Sequence, residues 1–123
     1  MNNEKRTEML IKKYGFDFNS IPKNEIISLI NEEIDNHQYS SSSEYIRLLC
    51  GYLYCIGDKS DTDLIRKARY SINMDVGCMI DIEWIDSLEN GGIEDIENYV
   101  RPRNEIIADF TEYYHNFQAD DDD

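Results

Sequence analysis

The chain has 123 residues, enough for one domain with a sizeable core, and its 41% apolar content argues against a wholly disordered polymer. Twenty-six acidic residues against twelve basic ones give a formal net charge of −14. That charge speaks against direct binding to nucleic acid or to an anionic membrane, whose phosphates would be repelled, and in favour of partners that are themselves basic.

The excess is uneven. Residues 1–60 hold nine acids and seven bases, whereas residues 61–123 hold seventeen acids and five bases. Solubility alone explains many acidic surfaces. The concentration in one half nevertheless marks that half for attention.

In chain order, Glu4 to Tyr14 reads as a first helix with Met9, Leu10, Ile11 and Tyr14 apolar and Gly15 closing its end. Phe16 and Phe18 follow in a short connection and are expected to pin the chain onto the core. Pro22 to Asp35 predicts a second helix, since Ile26, Leu29, Ile30 and Ile34 recur at helical spacing. Asn36 to Ser43 is polar and serine-rich, a predicted loop, and Ser41 with Glu44 fits a capping box. The helix from Glu44 to Ile56 is apolar on nearly every side, so it is expected to be the central element.

After a polar turn from Asp58 to Asp63, the residues Leu64, Ile65, Ala68 and Ile72 predict a further helix. Arg66, Lys67 and Arg69 read as its solvated face. Asp75 is placed to cap a helix from Val76 to Glu89, with Val76, Met79, Ile80, Trp84 and Leu88 on one side. A rival reading exists here, because Ile80, Ile82 and Trp84 also alternate like a half-buried strand. Asn90-Gly91-Gly92 breaks the chain. Ile93, Ile96, Tyr99 and Val100 then suggest a short helix ending before Pro102, and Arg103 to Phe117 a final one. The fold class expected is all-α: one domain over residues 1–119, a bundle or a helix-pair solenoid of six to seven helices. Asp120 to Asp123 should form a disordered acidic tail.

Chemistry is sparsely signalled. There is no Gly-x-x-x-x-Gly-Lys, Gly-x-Gly-x-x-Gly or His-Glu-x-x-His, and no calcium-hand loop. Cys50, Cys55 and Cys78 form no Cys-x-x-Cys pair, and His37 and His115 lie far from them in sequence. They read as small buried apolar residues in a reducing cytosol, without a metal. No catalytic residue and no cofactor is assigned. The start of the chain lacks the apolar stretch of a secretory signal, and no run matches a membrane span, so the expected location is cytoplasmic.

The positive signal lies between Asp81 and Tyr99. Asp81, Glu83, Asp86, Glu89, Glu94, Asp95 and Glu97 are seven acids with no Lys or Arg among them. Like charges four apart on a helix each cost a few tenths of a kcal/mol, roughly, so an external cation is expected to complete this surface. Trp84 and Tyr99, with Tyr113 and Tyr114 further on, are aromatic side chains of the kind enriched in interface hot spots, although a core role is the common fate of each. The interface candidates are therefore these seven acids with Trp84 and Tyr99.

The run Leu48-Leu49-Cys50, Leu53, Ile56-Gly57, Asp63-Leu64-Ile65, Lys67-Ala68, Asp75, Gly77-Cys78, Ile80-Asp81 and Gly91-Gly92 resembles a group of small bacterial immunity proteins. These accompany polymorphic toxins, including those of contact-dependent growth inhibition. The resemblance spans a little over a third of the chain and carries no catalytic residues. It implies binding to one toxin in the cytosol, covering its active site and so protecting the producing cell. The chain's acidity separately points to a basic toxin domain, an RNase or DNase, as the cognate partner. A helical adaptor and a DNA-mimic inhibitor are the alternatives.

Overall fold

The computed structural model describes residues 3–36, 44–72 and 74–118, with side-chain surroundings left undescribed for residues 74–76. Among the described residues there are seven α-helices and no strand. They are α1 (Asn3–Tyr14), α2 (Lys23–Asn36), α3 (Glu44–Ile56), α4 (Thr62–Ser71), α5 (Met74–Met79), α6 (Ile82–Glu89) and α7 (Arg103–His115). Single 3-10 turns at Phe18–Ser20 and Lys59–Asp61 join α1 to α2 and α3 to α4. The expected all-α fold is what the chain adopts.

The apolar girth of α3 has a direct consequence. Tyr45, Ile46, Leu48, Leu49, Cys50, Tyr52, Leu53 and Tyr54 are all buried, because α1, α2, α4, α5 and α6 each pack against this helix. Helix α7 meets it through Phe110, whose ring stands edge-on to Tyr52 with centroids 5.8 Å apart. In a solenoid each unit would touch only its neighbours. Here nearly every helix touches one shared axis, so the arrangement is a bundle about α3.

Helix ends are closed by recognisable means. Gly15 adopts φ +61° and donates its amide to the Ile11 carbonyl at 2.8 Å, ending α1 where the sequence places the stop. Arg6 on α1 pairs with Glu33 on α2 and lies 3.7 Å over the Tyr45 ring, tying three helices together. Asp58 and Asp61 form a capping box before α4, and Lys23 reaches Asp61 at 2.6 Å. The C-terminus of α3 receives Arg103, whose Nη2 donates to the carbonyls of Tyr54 (2.6 Å), Cys55 (3.3 Å) and Gly57 (3.0 Å).

Two expected elements differ in the structure. The single helix from Val76 to Glu89 is instead α5 and α6, broken at Ile80 and Asp81, where Asp81 is extended (φ −65°, ψ 122°). The reason lies outside the segment. Arg69 Nη1 donates to the carbonyls of Gly77 (2.7 Å) and Ile80, and Arg47 Nε donates to that of Met79 (3.0 Å). These side-chain donors take the carbonyls that later amides would have used, and the break lets Ile80 become fully buried. Arg69 thus faces the protein, contrary to its reading as a solvated charge. The strand alternative is not realised either.

The second difference is the segment after α6. It forms no helix but a turn closed by an isolated antiparallel bridge between Asp95 and Val100. The proposed Ser41 cap, the side chain of Asp75 and the tail from Asp120 to Asp123 lie outside the described residues. No helix among the described residues is long and apolar enough to cross a membrane.

Candidate partner-binding surface

Helix α6 ends in a Schellman motif. Gly92 N donates to Ser87 O at 2.7 Å and Gly91 N to Leu88 O at 2.9 Å, with Gly91 at φ +69°. The chain then leaves the bundle. Asn90 Nδ2 bonds the Ile93 carbonyl at 2.8 Å, and Asn98 donates its side-chain amide to Asp95 at 2.7 Å. The bridge follows, with Asp95 N to Val100 O at 2.9 Å and Val100 N to Asp95 O at 2.8 Å. Asx side chains that bond nearby backbone groups compete with helix formation. This local chemistry explains why the expected helix is absent.

Its absence turns three apolar residues outward. Ile93 is 67% exposed, Ile96 78% and Tyr99 91%. Tyr99 also has φ +59°, the left-handed region that a non-glycine residue enters at a cost of about 1–2 kcal/mol. Ile93 and Ile96 were missing from the sequence-based candidates because helical spacing assigned them to a buried face. The signal that could have found them is the confinement of the segment between Asn90-Gly91-Gly92 and Pro102, with Asn98 inside it.

The structure divides the seven acids into three groups. Asp81 and Glu83 line a hollow of about 210 Å3 with Arg47, Trp84, Arg101, Ile106, Asp109, Phe110 and Tyr113. Here the cations come from the chain itself. Arg101 makes a two-pronged contact with Glu83, Nε to Oε2 at 2.9 Å and Nη2 to Oε1 at 2.8 Å, and a further pair with Asp109 at 2.7 Å. These hydrogen bonds, Glu83 first and Asp109 second, hold the Arg101 guanidinium's pKa above its ordinary value. Arg47 lies 3.8 Å from Asp81.

Asp86, Glu89 and Asp95 converge on a second, more open hollow of about 480 Å3, completed by Asn90, Asn98 and Val100. Arg66 from α4 pairs with Glu89. No group of His, Cys, Asp and Glu among the described residues is arranged to hold a metal ion. Glu94 and Glu97 form the third group, exposed on the turn itself. Among the described residues no base pairs with Asp86, Glu94 or Glu97.

The expectation that an external cation must complete the whole acidic stretch therefore needs correction. Arg47, Arg66 and Arg101, distant in sequence, serve Asp81, Glu89 and Glu83. Arg69 and Arg103 are occupied with helix carbonyls. Internal use of these bases leaves Asp86 on α6 and Glu94 and Glu97 on the turn without a basic partner among the described residues.

Trp84 is also corrected. At 2% exposure it is core, stacked near Tyr54 (6.3 Å between centroids, planes 19° apart) and edge-on to Phe110 at 5.9 Å. Tyr114 is buried as well, and with Tyr113 it donates to Glu44 at the start of α3 (3.1 and 2.6 Å). Only Tyr99 of these aromatics presents most of its surface. Cys78 is exposed rather than buried, whereas Cys50 lies in the core.

No protein-family model matches the chain, and no curated protein or solved structure matches it.

Proposed function

We propose that this protein acts by binding, as an inhibitor that covers a basic surface on a partner protein; the role of an immunity protein against a nuclease toxin fits this reading best. The observation that carries it is the set of exposed carboxylates Asp86, Glu94 and Glu97, which no base pairs with among the described residues, beside the acid-lined hollow at Asp95. A toxin that cuts RNA or DNA needs a cationic groove for phosphates, and an acidic protein can occupy that groove in their place. The catalytic alternative has no supporting constellation among the described residues. A DNA-mimic role would use the same charge but would engage many DNA-binding proteins rather than one.

The test is co-expression with the product of the gene immediately upstream. Charge reversal at Asp86, Glu94 and Glu97 together should abolish protection while leaving the helical signal in circular dichroism intact. Full protection by that triple variant would move the interface elsewhere.

A further inference from the structure

The turn between α6 and α7 combines features that solubility does not require. Ile93, Ile96 and Tyr99 are the most exposed large apolar side chains among the described residues, and they fall within one short excursion. Together they offer on the order of a few hundred Å2 of apolar surface, the scale at which exposed patches mark interaction sites. The excursion is held in shape by the Asp95–Val100 bridge, the Asn98–Asp95 bonds and the Schellman closure at Gly91 and Gly92. A pre-shaped turn loses little conformational entropy when it docks. Tyr99 sits at its end in a left-handed conformation, and such local strain persists only where surrounding structure holds it.

We infer that this turn is an apolar anchor, built to dock on an apolar strip of a protein partner bordered by lysine or arginine. The inference rests on the binding role proposed above and adds to it the chemistry of the partner's surface. Charge complementarity selects the occupant, because Glu94, Asp95 and Glu97 border the apolar residues within the same turn. A second copy of this acidic chain would meet like charge there, and so would a nucleic acid or an anionic membrane. In this arrangement the carboxylates steer encounter, while Ile96 and Tyr99 slow dissociation.

The full chain can be tested with two helical peptides of equal positive charge. One carries leucines along one face bordered by lysines; in the other, serines replace the leucines. The wild type should bind the leucine peptide at least about tenfold more tightly than the serine peptide. An Ile96→Ser, Tyr99→Ser double variant should lose that advantage while binding the serine peptide as before, and amide NMR shifts should localise the leucine peptide to residues 93–100. Equal preference for the leucine peptide in wild type and double variant would overturn the anchor. A separate variant, Glu94→Lys with Glu97→Lys, should weaken both peptides. If it weakened neither, the electrostatic reading would fail even with the anchor intact; a wild type indifferent to both peptides would contradict the two together.

Discussion

The Phe110 ring occupies the space in which Gly51 would carry a Cβ. Glycine in the middle of a buried helix is otherwise unfavourable, by about 1 kcal/mol relative to alanine. The close approach of α7 to α3 resolves that conflict and brings Phe110 against Tyr52, Trp84 and Tyr114. Gly51→Ala should therefore destabilise the protein, since overpacking of about 1–3 kcal/mol exceeds the gain in helix propensity. Urea denaturation should show a lowered midpoint. A raised midpoint would mean that Phe110 can move aside at no cost.

Arg103 provides a second test of the same junction. Its Nη2 serves three carbonyls at the end of α3, which would otherwise lack that donor. Arg103→Met should cost about 1–3 kcal/mol, the usual consequence of stranding buried acceptors. Arg103→Lys should recover only part, because a single ammonium lacks the planar fork. Equal stability of all three proteins in denaturant melts would show that water replaces the guanidinium.

Cysteine reactivity should separate the three thiols. Burial pushes the Cys55 thiol up to about 12 and raises that of Cys50 as well, so neither has appreciable thiolate at neutral pH. Cys78 is exposed. A colourimetric thiol reagent should titrate one fast group in the native protein and three after unfolding. Three fast groups in the native state would contradict the packing of α3.

Tyr99 carries a backbone conformation that glycine adopts freely. Tyr99→Gly should stabilise the isolated protein by about 0.5–1 kcal/mol, after allowing for the greater freedom of glycine in the unfolded chain. A loss of thermal stability would mean instead that the tyrosine packs against the fold.

Local patterning made much of the architecture legible in advance. Periodic apolar residues located α1 to α4 and α7, and for α3 they located both ends, Glu44 and Ile56, because a helix apolar all round leaves little ambiguity. What escaped was non-local or too short for periodicity. The α5–α6 break depends on Arg47 and Arg69, whose donors arrive from other helices. The pairing of Glu83 with Arg101 and of Glu89 with Arg66 likewise joins residues that a linear scan of charge keeps apart. At the turn, the spacing of Ile93, Ile96 and Val100 imitated a helix, while Asn90, Asn98 and the two glycines decided the outcome. Of the sequence-derived interface residues, Trp84 belongs to the core, whereas Asp86, Glu94, Asp95, Glu97 and Tyr99 gather beside or upon one exposed feature.

The proposed binding role is probed most directly by stopped-flow association with the upstream gene product, the partner which that proposal names, followed from low salt to roughly 0.5 M, since a Debye length of about 10 Å at 0.1 M shrinks steeply over that range. The rate constant for association should fall by about tenfold or more while dissociation changes little. An association rate indifferent to salt would show that the carboxylates around the 91–101 turn do not guide this protein to its partner.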